Sequence, residues 1–151
     1  MKQLIISMSF IFFVASVFAQ DQKRLNQFNL QNNLAVQGYD VVSYFTEKKA
    51  VKGSPLNAII FQGIKYQFST VANKEEFKKN PAKFEPQYGG WCAFAMGASG
   101  EKVEIDPGTF KIADGKLYLF YNRLFNNTLP KWNKDEANLK LKADVNWKKI
   151  F

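Results

Sequence analysis

The sequence predicts an α+β fold: a small antiparallel sheet built from two hairpins, with short flanking helices. Three observations predict it. Alternating apolar and polar residues flank Gln62-Gly63, two further strand-like runs flank Asp114-Gly115, and stretches of helix-forming composition follow both hairpins.

The chain begins with Met1-Lys2-Gln3, a short positive start, then an almost wholly apolar run from Leu4 to Val14 and the stretch Val17-Phe18-Ala19. This is the pattern of a secretory signal peptide cut after Ala19, because the apolar run falls short of the roughly 20 residues a membrane span needs. An uncleaved N-terminal anchor is the alternative. Residues 1–19 are thus expected to be an address, 20–34 a polar lead-in, and 35–151 one domain. The protein is expected to work outside the cytoplasm, periplasmic or extracellular, with no stable membrane span after signal removal.

Asp21 to Leu34 is rich in Asn and Gln and is expected to be a tether or a loosely packed lead-in. Gly38-Tyr39-Asp40 punctuates the chain before Val41-Val42-Ser43-Tyr44-Phe45, a strand or one helical turn. A polar loop follows from Lys48 to Pro55. Ala58 to Phe61 and Ile64 to Phe68 form the first hairpin, with Ile64, Tyr66 and Phe68 on its buried face. Thr70 is placed to cap a helix over Val71 to Lys79, which Asn80-Pro81 ends, because a residue before proline leaves the helical region. Pro81 then starts a short turn carrying Phe84.

Thr109 to Ala113 and Lys116 to Tyr121 form the second hairpin around Asp114-Gly115, a favoured pair for a two-residue turn. Leu117, Leu119 and Tyr121 alternate with Tyr118 and Phe120, so this strand is apolar on both faces and should be central. From Asn122 onward the chain is helical in character, interrupted at Pro130. A last helix is expected from Asp135 to Lys148, with Leu139, Ala143 and Trp147 on one face. No internal repeat stands out. Asn126-Asn127-Thr128 is a glycosylation acceptor only in a eukaryotic secretory route.

Composition removes much catalytic chemistry. The 151 residues include no histidine and one cysteine, so no imidazole base, histidine ligand or internal disulfide exists. Enzymatic work would fall to carboxylates, and no spaced Asp/Glu pair marks a cleft. The net charge of +8 rests mainly on lysine, with Arg24 and Arg123 the sole arginines. Planar recognition of bases and phosphates favours arginine, so nucleic acid is not the expected partner. A solvated lysine-rich face, or weak attraction to anionic envelope surfaces, explains the charge.

Cys92 lies in Tyr88-Gly89-Gly90-Trp91-Cys92-Ala93-Phe94-Ala95-Met96. If Trp91 to Met96 is helical, the Cys92 thiol and Met96 thioether share one face, and soft sulfur donors select Cu(I). Two other readings stay open: Cys92 as a small buried hydrophobe with Met96 filling the core, or a redox-reactive or partner-linking thiol. Gly89-Gly90 either presents backbone amides to a ligand or makes a sharp turn that tucks Trp91 inward. Tyr39, Asp40 and Tyr44 either line an aromatic pocket with Tyr88 and Trp91, Asp40 being its charged anchor, or are core rings beside a helix-capping Asp40. Glu101, Glu104 and Asp106 lack the spacing of a calcium loop and suit a solvated turn.

Tyr66-Gln67-Phe68-Ser69-Thr70, Phe77 and Asn80-Pro81-Ala82-Lys83-Phe84 together resemble the YHS domain family, as does Gly38 to Phe45. The Tyr88 to Ala93 element, the Asp114 to Leu119 hairpin and Asn146-Trp147 resemble features of its longer exported members. The resemblance covers about Ala35 to Ile150. It implies metal binding through cysteines, as in short family members within copper- and heavy-metal-transporting ATPases. The matching positions here are Ser43, Ser69 and Asn73, so those thiols are missing, and hydroxyl or amide groups are poor soft-metal ligands.

The resulting expectation is an exported, non-enzymatic binding or accessory module whose working surface centres on Cys92 and nearby aromatic residues. No cofactor is specified, and copper is the candidate soft ion. The alternative is a protein-interaction or structural domain with Cys92 in the core. A metal ion, a small ligand or a protein partner all remain open.

Overall fold

The computed structural model describes residues 21–151, so the expected leader, 1–19, lies outside the described residues. Residues 21–27 are helical (α1) and lead into β1 (Leu30–Gln31) and β2 (Leu34–Ala35). A 3-10 turn at Val36–Gly38 and α2 (Ser43–Thr46) follow. The first hairpin is β3 (Ser54–Phe61) with β4 (Ile64–Phe68), and then come α3 (Val71–Lys79) and α4 (Pro81–Phe84). A second 3-10 turn, Gln87–Gly90, precedes α5 (Ala93–Ala98). The second hairpin is β5 (Asp106–Ala113) with β6 (Lys116–Phe120). The chain ends with β7 (Asn122–Arg123), β8 (Asn126–Asn127), α6 (Leu129–Lys134) and α7 (Glu136–Ile150).

The α+β class and both expected hairpins are present. β3 and β4 belong to a four-stranded sheet in the order β1-β2-β4-β3, with β2 joining β4 in parallel through Leu34 and Lys65. β5 and β6 form a separate antiparallel pair. The α3 cap is also as expected: Thr70 Oγ1 accepts from Asn73 N–H at 3.0 Å.

β6 is the partition of the core. Leu117 and Leu119 face a cluster that contains Tyr44, Tyr66, Phe68, Phe77, Phe84 and Cys92. Tyr118 and Phe120 face a second cluster with Tyr88, Met96, Trp132, Leu139 and Ala143. All four of these β6 side chains are at most 1% exposed, the consequence of a strand apolar on both faces. Phe77 anchors the first cluster, with Tyr66, Phe68, Phe61 and Phe84 rings 4.8 to 6.5 Å from its centroid. Such ring pairs contribute about 0.5–1.5 kcal/mol each beyond area burial. In the second cluster α5 lies against α7 at Gly97, where a Cβ would meet the Leu139 carbonyl oxygen at 2.5 Å.

Two expectations fail. Asp21 to Leu34 is no loose tether: its helix and strands pack on the first cluster through Leu25, Phe28 and Leu30. Arg24, 6% exposed, pairs with Glu85, which also accepts from the Tyr66 hydroxyl. The segment is polar because its side chains make specific hydrogen bonds. The stretch after Asn122 is likewise not helical at first but a two-stranded ribbon. Helix starts only at Leu129, and Pro130 sits in its first turn, where a missing N–H costs nothing.

Among the described residues, four two-residue turns connect the antiparallel strand pairs, and each has both central residues at positive φ. They are Asn32-Asn33, Gln62-Gly63, Asp114-Gly115 and Leu124-Phe125. The first three contain the Asn, Asp or Gly that this turn favours. The fourth holds a leucine and a phenylalanine at φ 51° and 64°, a strain of about 1–3 kcal/mol per residue.

Candidate functional site

Residues 86–92 run beside the free edge of β6. Pro86 bridges Leu117 and Cys92 bridges Leu119, both in parallel. The chain therefore advances six residues while its partner advances two, and the surplus is lifted off the sheet. Three consecutive left-handed residues, Tyr88 (φ 56°), Gly89 (φ 61°) and Gly90 (φ 83°), turn that excursion back. The diglycine supplies two of these at little steric cost, and Tyr88 is the strained member.

The lead-in clamps this excursion. Asn29 N–H donates to the Gly89 carbonyl at 2.8 Å, Asn29 Nδ2 donates to the Gly90 carbonyl at 3.1 Å, and Trp91 Nε1 donates to the Gln27 carbonyl at 2.7 Å. From the other side α7 delivers Trp147 and Asp144. The Tyr88 hydroxyl donates to Asp144 Oδ1 at 3.0 Å. Burial, and then the neighbouring Asp144 carboxylate, raise the Tyr88 phenol far above the ordinary tyrosine range.

Between these elements lies an open cleft of about 430 Å³. Its apolar wall comes from Phe28, Tyr88, Gly89 and Trp147, and its rim carries Lys116, Lys148, Asp144 and Glu85. Phe28, Trp147 and Phe151 form an aromatic triad with centroids 5.4 to 5.9 Å apart. Glu85 is already engaged by Arg24 and Tyr66, and Asp144 accepts from Tyr88. Among the described residues, Lys116 and Lys148 have no carboxylate within ion-pair distance.

Of the ligand-binding residues expected from sequence, Tyr88 and Gly89 line this cleft. Gly90 and Trp91 hold its wall through the lead-in and do not line it. Tyr39, Asp40 and Tyr44 lie elsewhere. Tyr44 is fully buried and donates to the Pro107 carbonyl at 2.9 Å, while Lys52 sits over the Tyr39 ring at 4.5 Å.

Asp40 is buried and fully used by the fold. Oδ1 accepts from Val42 and Ser43 N–H at 2.9 and 3.3 Å. Oδ2 accepts from Ser69 N–H, the Ser69 hydroxyl and Asn73 Nδ2 at 2.8, 2.7 and 2.7 Å. The Ser43 hydroxyl adds a bond to the Asp40 carbonyl at 2.7 Å. Asp40 therefore caps α2 and ties it to the start of α3. Ser43, Ser69 and Asn73 all converge on this one residue.

Cys92 and Met96 are joined through the backbone, Met96 N–H donating to the Cys92 carbonyl at 3.0 Å. Their side chains pack in different clusters, Cys92 in the first and Met96 in the second, and both are 0% exposed. Cys92 Sγ accepts from Tyr121 N–H at 3.3 Å and lies 3.4 Å from Thr128 Oγ1. A cavity of about 430 Å³, lined in part by Cys92, Glu101, Tyr121 and Thr128, opens beside it. Among the described residues, no group of three or more Cys, Asp or Glu side chains is positioned to hold a metal ion. Asp106 of the acidic cluster caps its own turn, accepting from Gly108 N–H and the Thr109 hydroxyl at 3.0 and 2.9 Å.

Compared with known proteins, the chain matches no family model, no curated protein and no solved structure. No helix among the described residues is long and apolar enough to cross a membrane.

Phe28, Lys116, Asp144 and Lys148 are not singled out as site residues by the sequence, and Trp147 enters there as one face of a helix and as part of the Asn146-Trp147 resemblance. Nothing local to them signals a site. They meet because the lead-in and α7 close over the Tyr88 excursion from opposite sides.

Proposed function

We propose that the protein is an exported, non-enzymatic binding module of the YHS type, whose ligand is a small aromatic anion held in the cleft between Tyr88 and Trp147. The observation that carries this reading is the pairing of an aromatic wall with two cations, Lys116 and Lys148, that lack a carboxylate partner among the described residues. A planar ring gains contact area against the half-buried Trp147 and Phe28, and its carboxylate gains a charge-assisted hydrogen bond at the rim. The YHS reading is supported by Ser43, Ser69 and Asn73 meeting at Asp40, because cysteines of a shared metal site would have to occupy neighbouring positions. Hydroxyl and amide donors at those positions suit a carboxylate better than a soft cation.

Calorimetric titration of the purified protein with indole-3-carboxylate, against neutral indole, tests this reading. The carboxylate should bind about tenfold more tightly than indole, and Lys148→Glu should remove that difference. Equal affinity for both probes, or affinity unchanged in Trp147→Ala, defeats it.

The cavity beside Cys92 favours a second reading, in which the thiolate and Thr128 hold a soft ion such as copper. Titration with Cu(I) against a competing chelator decides it. Failure to compete, or equal binding by Cys92→Ser, ends the metal role.

A further inference from the structure

The β7–β8 turn shares the left-handed conformation of the other three two-residue turns and departs from them in composition. Leu124 and Phe125 occupy left-handed positions that asparagine or glycine would hold with less strain. They bury nothing in exchange, being 89% and 110% exposed. The ribbon is nevertheless well held at its base, where Asn122 pairs with Asn127 and Arg123 with Asn126. Thr128 N–H and Oγ1 both donate to the Tyr121 carbonyl, at 3.0 and 2.9 Å. A hydrogen-bonded stem thus presents two adjacent apolar side chains at its end.

The segment that carries the tip is basic. Residues 121–134 contain Arg123, Lys131 and Lys134 and no carboxylate. All three cations are exposed, and among the described residues none has a carboxylate within ion-pair distance. Lys131 reaches back to Asn126 Oδ1 at 2.8 Å, which brings one ammonium to the ribbon beneath the tip. Two carboxylates lie at the base rather than the tip: Glu101 lines the Cys92 cavity with Asn126 and Thr128, and Asp106 is linked to Asn122 through the Thr109 hydroxyl. An apolar point with Arg123 and Lys131 beneath it matches a surface that is anionic outside and apolar a few ångströms deeper.

We propose that the β7–β8 tip inserts into bilayers rich in anionic phospholipid, with Leu124 and Phe125 entering the acyl boundary and Arg123 and Lys131 engaging the headgroups. The contact is peripheral and reversible. It is independent of the Tyr88–Trp147 cleft and holds whether or not that cleft binds an aromatic anion.

The test is co-sedimentation of the purified protein with vesicles of phosphatidylcholine alone or mixed with phosphatidylglycerol. The informative variant is Leu124→Asn with Phe125→Gly, which installs the favoured turn pair and should keep or raise thermal stability while deleting the apolar tip. The wild type should partition into mixed vesicles about tenfold or more better than into neutral ones, and the variant should lose at least about tenfold of that binding. In Phe125→Trp, tryptophan emission should shift to the blue on mixing with anionic vesicles. Equal sedimentation of wild type and variant overturns the proposal, as does equal binding to neutral and anionic vesicles. It is also overturned if neither vesicle binds and the wild type self-associates where the variant is monomeric, which would make the tip a contact between copies of this chain.

Discussion

Gly89 lies so close to Trp147 that a Cβ at position 89 would stand 2.8 Å from the indole Cη2. The contact joins the Tyr88 excursion to the C-terminal helix and sets the width of the cleft. Phe28 approaches the same position from the lead-in, at 3.1 Å.

Gly89→Ala is therefore expected to cost about 1–3 kcal/mol, through the positive φ and the collision with the indole. Urea unfolding measures it. Trp147→Ala removes the collision, so the double variant should be less destabilised than the sum of the two single ones. Strict additivity would mean that the two residues do not touch.

Asp40→Ala strips the acceptor from five hydrogen bonds that link α2 to the start of α3, and is expected to cost about 3–5 kcal/mol. Ser69→Ala should cost about 1 kcal/mol, since the Ser69 amide keeps its bond. Denaturant midpoints compare the two. A loss of under about 1 kcal/mol in Asp40→Ala would return that carboxylate to the list of ligand anchors.

Cys92 is enclosed and its sulfur accepts a backbone hydrogen bond, so native protein should react with an aromatic disulfide reagent only through opening motions. Labelling should be slow in buffer and fast in denaturant. Rapid labelling in buffer would contradict the packing and revive a reactive-thiol role.

Tyr44, Tyr66 and Tyr88 are held above the ordinary tyrosine range, each chiefly by burial. A phenol whose folded value exceeds its unfolded value near 10 favours the native state fully below about pH 10. Above that pH the unfolded chain ionises while the folded one stays protonated, so stability falls as pH rises. Unfolding free energies should be insensitive to these groups below about pH 10 and drop steeply beyond it, and Tyr88→Phe should make that drop shallower. An unchanged slope in Tyr88→Phe would show that its hydroxyl titrates normally.

The lead-in should behave as part of the domain. Asn29→Ala removes a side-chain bond to Gly90 and should cost about 1–2 kcal/mol, whereas a tether residue would cost nothing. Hydrogen exchange checks the same point, since the Asn29 amide that donates to Gly89 should be protected.

What the sequence made legible was short-range. Gln62-Gly63 and Asp114-Gly115 each sit between the strands they join, and Thr70 lies three residues from the amide it caps, so local composition carries those elements. The two-faced pattern of β6 also translated directly into a strand between two clusters. The lead-in was misjudged because its polar residues find partners far along the chain, Arg24 at Glu85 and Asn29 at Gly90. The β7–β8 ribbon was missed because Leu124-Phe125 breaks the rule by which such turns are recognised. Cys92 and Met96 have helical spacing, yet Cys92 precedes α5 as its N-cap and the two side chains enter different clusters. Of the cleft, Tyr88 and Gly89 could be named, but the residues opposite them depend on how α7 packs.

The cleft, rather than the sulfur at position 92, is the binding site proposed for this protein. Amide and indole NMR shifts during addition of indole-3-carboxylate, and separately of Cu(I), test that most directly. The carboxylate should move the Gly89 amide and the Trp147 indole N–H while Cu(I) leaves the Cys92 region unchanged. Shifts concentrated around Cys92, Tyr121 and Thr128 on adding Cu(I), with a silent cleft, would contradict it.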